Sequence, residues 1–201
     1  MSLSAAERFL VKSDPILGKI IKKNGHLDIS TQGNYFVSLC ESIISQQISV
    51  KAAATIYSRF QNKTMLSPEK ILKLSDEEAK LIGLSGQKKQ YLRDLAKHFV
   101  EDSAIFDHLD SLNDDEVVKE LTRIKGIGVW TAQMFLMFTL GRPDVFAADD
   151  LGILNAITKI YDLHERPKRI EALQFAERWV PYRTSACYHL WHHLDNKPAS
   201  S

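Results

Sequence analysis

Leu121-Thr-Arg-Ile-Lys-Gly-Ile-Gly-Val-Trp-Thr-Ala132 is the stretch on which the reading of the chain turns. An amphipathic helix stops in it, a G-x-G reversal follows, and a second helix begins. Gly126 and Gly128 lack a Cβ, so the backbone can take positive φ there and its N–H groups can come close to an anion. From Val129 onward the positive end of the second helix lies at the same place. Ile124 and Ile127 are expected to pin the two helices across the reversal, while Arg123 and Lys125 add charge beside it. Such a place suits a phosphate. A G-x-G taken alone reads more readily as a structural turn, so its flanks must decide.

Helical punctuation recurs on both sides, with little period-two alternation and no Asn-Gly hairpin between strand-like runs. The expectation is an all-α fold. Asp14-Pro15 opens a helix ending near Asn24-Gly25, and Ser67-Pro68 opens a short one through Leu74. Ser75 to Glu78 is a capping box whose helix stops at Gly83, and Asn113 to Glu116 opens another. Longer helices are expected at about 34–46, 49–60, 87–102, 114–124, 129–140, 150–161, 168–180 and 182–194. Connections are short, and neither a low-complexity linker nor a solenoid repeat interrupts them, so the 201 residues read as one packed unit. Its expected division is two helical lobes with a cleft between them. About 1–32 with 141–201 form one lobe, and about 33–140, including the hairpin at 121–132, form the other. Residues 197–201 read as a frayed end.

Hydrophobic residues make up 44% of the chain and charged residues 25%, which excludes global disorder. The net charge is only +1, an argument at first sight against a polyanionic partner. Position changes that argument. Glu101 to Glu120 holds eight acids and one base, so the remaining residues carry a net +8. The acidic run itself reads as helix starts on a solvated face, where carboxylates complement the helix dipole. Cys40 and Cys187 are far apart, without C-x-x-C spacing and in apolar surroundings, so they read as reduced, buried thiols. No apolar run reaches the roughly 20 residues needed to span a bilayer, and Glu7 and Arg8 stand where a signal peptide would be apolar. A soluble, intracellular protein without a membrane partner is expected.

Ala148-Asp149-Asp150-Leu-Gly-Ile begins eighteen residues past Trp130. Adjacent acids at a helix start are ordinarily an N-cap and its neighbour. With the hairpin upstream, the intervening helix spans about one domain thickness and returns the chain so that Asp150 faces the cleft. One acid then caps while the other works. His189, His192 and His193 fall at helical spacing, yet no H-E-x-x-H pattern or partnered acid accompanies them. They read as surface or cleft-edge histidines beside Trp191, not as a zinc site.

The hairpin K-G-I-G-x-W-T-A, the downstream A-D-D, and the upstream Ile43-Ile-Ser-Gln-Gln-Ile-Ser-Val-Lys-Ala-Ala53 together resemble the helix-hairpin-helix DNA glycosylases, in their 3-methyladenine DNA glycosylase II (AlkA/MAG-like) branch and its compact form. The resemblance covers about residues 33 to 194. It implies an enzyme that flips a damaged nucleotide out of double-stranded DNA and hydrolyses its N-glycosidic bond. It implies Asp150 as the catalytic carboxylate. Bifunctional relatives carry lysine where this chain has Trp130; an indole forms no Schiff base, so the expectation is a monofunctional enzyme that leaves an abasic site. Trp130 would wall the base pocket with Tyr182 and Trp191. Met134 stands where similar enzymes carry an aromatic.

The resemblance also makes Gln47 the residue that fills the gap left by the flipped base, with Gln46 beside it. Leu84 or Ser85 is a candidate second wedge, and Lys88 and Lys89 are expected to meet backbone phosphates. At the hairpin, Lys125, Gly126, Gly128 and Thr131 would meet DNA. A structural Na+ or K+ would be held there by the main-chain carbonyls of Thr122, Ile124 and Ile127. No cofactor is required: two cysteines exclude a four-cysteine iron–sulfur cluster, and no zinc is expected. The expected substrate is double-stranded DNA carrying alkylated purines such as 3-methyladenine and 7-methylguanine, bound by a monomer. The cellular place is the cytoplasm or nucleoid, or the nucleus in a eukaryote. The alternative is a protein of the same fold that binds damaged or abasic DNA without cutting it; an α-helical scaffold would leave the basic hairpin unexplained.

Overall fold

A computed structural model describes residues 2–29, 31, 33–101, 106 and 108–194. Among these residues every regular element is a helix. Most of these helices begin where short polar side chains take up orphan amide protons. Helix α1 (Ala5–Ser13) opens with a capping box between Ser4 and Glu7, a start the sequence reading passed over. Asp14 accepts from the amides of Ile16 and Leu17 to open α2 (Pro15–Asn24). Asn34 caps α3 (Tyr35–Ser45), Ser49 caps α4 (Val50–Thr64) and Ser67 caps α5 (Pro68–Leu72). The Ser75–Glu78 box opens α6 (Asp76–Ile82), and α7 (Gly86–Glu101) follows. The Asn113–Glu116 box opens α8 (Asp114–Leu121), then come α9 (Val129–Phe138), α10 (Leu151–Ile160), α11 (Arg169–Ala176) and α12 (Arg183–His193).

Three ends differ most from expectation, and the first is that of α4, which runs to Thr64, four residues beyond 60. Helix α8 stops at Leu121, three residues early, where the Thr122 hydroxyl donates to the Val118 carbonyl at 2.8 Å and the tight reversal begins. The helix expected at 168–180 breaks after Ala176 into a 3-10 turn, Glu177–Trp179. In the acidic run, Asp114, Asp115 and Glu116 fill the first turn of α8. Asp102 and Asp107 of that run, and the end at 197–201, lie outside the described residues.

The chain forms two compact units, Met1–Thr31 with Leu136–Ser200, and Gln32–Phe135. In the first, α1 and α12 pack on α2, and α10 packs on α12. Leu10, Leu17, Ile21, Ile153, Ile157, Trp179 and Leu190 are fully buried there. Burying a leucine or isoleucine side chain is worth about 1.5–3 kcal/mol, so these contacts carry the unit. Two buried carboxylates are paired: Asp14 accepts from the Trp179 indole at 2.9 Å and the Tyr161 hydroxyl at 2.6 Å. Glu7, 1% exposed, accepts from the Leu27 amide at 2.9 Å and the Ser4 amide at 2.6 Å, and bonds His26 and His189. In the second unit α3 packs on α4 and α7, and α5 packs on α7, around Leu39, Cys40, Ile43, Phe60, Leu92 and Leu95.

The border between the units falls inside α9, at 135/136, and not after it at 140. This helix is apolar on every side and each half has its own partners. Phe135 meets the Tyr35 ring edge-on at 5.5 Å in the second unit; Phe138 meets Tyr188 at 5.8 Å and Trp191 at 6.0 Å in the first.

Candidate functional site

Asp150 is the N-cap of α10, with Oδ1 accepting from the Ile153 amide at 2.8 Å. The same oxygen accepts from the Trp191 indole at 2.9 Å. Gly152 makes room for that approach: a Cβ there would sit 3.1 Å from Oδ1 and 3.2 Å from the indole ring. The carboxylate is thus half-buried, fixed through one oxygen by two donors, at the positive end of a helix. The expected division of labour within the acidic pair does not hold. Asp150 itself caps, and Asp149 pairs with Arg169 on the surface.

The expected pocket residues differ in exposure. Trp130, in the first turn of α9, is 39% exposed, whereas Met134, one turn on, is buried. Tyr182 is half-buried and meets the Phe9 ring edge-on at 5.3 Å. Trp191 is only 2% exposed, so its ring is interior and its role in this structure is to hold Asp150, a correction to the reading of it as a pocket wall. His189 is likewise interior and not a surface histidine. Its Nε2 lies 3.1 Å from Glu7 and its Nδ1 3.3 Å from the Asn24 amide nitrogen. Among the described residues no group of histidines, cysteines and acids is placed to hold a metal ion. Cys40 and Cys187 are free and buried, and burial pushes both thiols far up.

In the second unit the hairpin has the anticipated reversal. Ile124 and Ile127 are buried across it. Gly126 takes φ +88°, and a Cβ there would fall 2.3 Å from a carbon of the Tyr91 ring, so only glycine fits. Gly128 lies outside the left-handed region, with open space where a Cβ would be. The Lys125 side chain is exposed, while its amide donates to Asp94 at 2.8 Å. Arg123 is held by Glu120 at 2.7 Å. Thr131, expected at the DNA surface, is 6% exposed: its side chain packs inside.

Beside the hairpin lies the turn after α3. The Gln46 side-chain amide donates to the Gly126 carbonyl at 2.8 Å. Gln47 is exposed and takes φ +57°, a left-handed conformation that costs a non-glycine residue about 1–2 kcal/mol. Lys88 was expected to meet phosphates, but its ammonium donates to the carbonyls of Ile44 at 2.6 Å and Gln46 at 2.7 Å. Burial lowers its pKa. A groove of about 330 Å³ is lined by Gln46, Gln47, Ser85, Lys88, Tyr91 and Gly126. Ser85 is exposed at its edge and caps the Lys88 amide at 3.2 Å. Two neighbours expected at the DNA surface are corrected. Leu84 is 6% exposed and belongs to the core, and Lys89 is 5% exposed with its ammonium on Asp76 at 2.6 Å.

The carbonyls of Thr122, Ile124 and Ile127 form a neutral oxygen set within one tight reversal. Thr122 follows the end of α8, where helix carbonyls lack intrahelical donors, and the Ile124 carbonyl accepts the Ile127 amide at 3.1 Å.

The description of the HhH-GPD superfamily base excision DNA repair proteins matches residues 40–182. The DNA-3-methyladenine glycosylase 1 of Schizosaccharomyces pombe is 34% identical over 163 residues, 78% of this chain and 71% of its own length. A DNA-3-methyladenine glycosidase from Bacillus halodurans superposes with a TM-score of 0.84 at 33% identity, covering 98% of this chain and 94% of the other. A 3-methyladenine DNA glycosylase of S. pombe in complex with abasic DNA also gives 0.84, at 29% identity, over 98% of this chain and all of the other. The matched span contains the Gln46–Gln47 turn, the Gly126 reversal and Asp150, and this chain belongs to the HhH-GPD superfamily of base excision DNA repair proteins.

Proposed function

We propose that this protein is a monofunctional DNA glycosylase, acting as a monomer on double-stranded DNA, that hydrolyses the N-glycosidic bond of alkylated purines such as 3-methyladenine and 7-methylguanine. The observation that carries this reading is the double anchoring of Asp150 by the Ile153 amide and the Trp191 indole. The names of the relatives above support the substrate class.

A purine alkylated at a ring nitrogen is cationic and leaves readily, so it needs little general acid. As the bond breaks, the sugar gains oxocarbenium character, and the ionised Asp150 stabilises that charge and orients or deprotonates the attacking water. Two fixed donors on one oxygen hold the carboxylate in place and cost no rearrangement during the reaction. The exposed Trp130 ring offers a face to a cationic base, a contact worth about 0.5–2 kcal/mol over its neutral parent. With an indole at this position, no Schiff base with the sugar forms there and the product is an abasic site. A Na+ or K+ on the carbonyls of Thr122, Ile124 and Ile127 would add positive charge where Lys125 and the start of α9 meet a phosphate.

The test is base release from methylated duplex DNA by wild type and Asp150→Asn, alongside binding to abasic DNA. Release by wild type and its loss in the variant, with abasic binding retained in both, is expected. Abasic binding without release by wild type would replace the enzyme with a non-catalytic binding protein. Equal release by both proteins would remove Asp150 from the chemistry.

A further inference from the structure

We propose that Lys88 is a positioning residue, which caps the C-terminus of α3 and so holds the Gln46–Gln47 turn ready to fill the gap left by a flipped base. This inference rests on the glycosylase reading above. Lys88 stands at the start of α7 (Gly86–Glu101), the end of its own helix where the dipole disfavours a cation. Its ammonium instead reaches the end of α3, where orphan carbonyls favour one, and bonds Ile44 at 2.6 Å and Gln46 at 2.7 Å. Those two carbonyls lead directly into Gln47, whose left-handed φ of +57° survives only where its surroundings over-determine it. The Gln46 side chain supplies a third tie, to the Gly126 carbonyl at 2.8 Å, so the turn and the hairpin are fastened to each other. Two of the three ammonium protons are thus spent on the turn. The contribution of Lys88 to DNA is the pre-ordered turn, which matters most when stacking must be broken to extrude the base.

The experiment compares Lys88→Met and Lys88→Arg with wild type in the full chain. Two single-turnover substrates are used: a methylated purine in a fully paired duplex, and the same purine opposite an abasic site, where extrusion is easy. In Lys88→Met, release from the paired duplex is expected to fall about tenfold or more, and release opposite the abasic site less than about twofold. Lys88→Arg should recover part of the loss. In the free protein, amide hydrogen exchange over 46–49 should rise about tenfold in Lys88→Met while the rest of the second unit keeps its protection. Equal loss on both substrates, or unchanged exchange at 46–49, would overturn the proposal. Absence of release by wild type on either substrate would sink the glycosylase reading alone, because exchange still decides whether Lys88 holds the turn.

Discussion

The N-terminus of α10 and the C-terminus of α3 solve the same problem with opposite signs. At the first, the orphan groups are amides, and the side chain that satisfies one of them, Asp150, is an anion held ready for chemistry. At the second, the orphan groups are carbonyls, and the cation that satisfies them, Lys88, comes from another helix and leaves the adjacent Gln47 exposed in a strained conformation. A functional residue therefore acts as the cap in one case and is kept in place by the cap in the other. The two ends should respond differently to substitution: one through chemistry with little change in folding, the other through local order.

The largest separation is expected at Asp150. Asparagine retains an N-capping acceptor, so Asp150→Asn should melt close to wild type while base release falls about 100- to 1,000-fold. Asp150→Ala should lose a further ~1 kcal/mol of stability, read by urea unfolding. Near-equal melting of the two variants would break the account of Asp150 as a cap.

Acid should weaken the first unit before the second. Burial raises the pKa of Glu7, but hydrogen bonds from the Leu27 and Ser4 amides and from His26 outweigh it and hold the carboxyl at about 2. Since an unfolded glutamate titrates near ~4.3, this stabilisation is fully present above that pH and lost as the pH falls toward 2, amounting to about 3 kcal/mol. His189, two residues before Trp191 on α12, has its pKa lowered by burial against the opposing pull of Glu7, so the folded state begins to lose ground below about pH 6.5. A pH series of amide exchange should show α1 and α12 loosening before α3 and α7; simultaneous loss would remove this distinction.

Gly126→Ala tests the hairpin side. The left-handed φ and the Tyr91 ring at 2.3 Å from the new Cβ should together cost about 2 kcal/mol or more, and Tyr91→Ala in the same chain should return part of it. The smallest effect is reserved for Lys125. Lys125→Ala should leave melting unchanged and reduce the slope of log affinity against log salt by about 1, and an unchanged slope would remove the phosphate contact.

Much of this was legible in the chain because it is written in local chemistry. The boxes at Ser75 and Asn113, the reversal at Gly126 and the acid at the start of α10 depend on neighbours a few residues away. The same box at Ser4 and Glu7 marked α1 equally well. What escaped depends on reach. Lys88, Lys89 and Lys125 look alike in sequence, yet one caps a distant helix, one is buried on Asp76 and one remains exposed. A flexible stem lets each ammonium find partners 13 or 44 residues away, and nothing nearby in the chain records which. Leu84, Thr131 and His189 were misplaced for a related reason. Position beside a motif suggested the surface, whereas burial is set by packing of elements remote in sequence.

The border inside α9 also orders the birth of the molecule. The second unit is one continuous stretch, Gln32–Phe135, and all its parts have emerged once the first half of α9 has been made. The first unit is split: α1 and α2 are synthesised before the second unit, but their packing partner α12 follows it. Leu10, Leu17 and Ile21 must therefore wait, uncovered by that partner, while the whole second unit is made. These two helices are the part of this chain that most needs protection from aggregation during synthesis, although Leu10, Leu17 and Ile21 are fully buried in the finished protein.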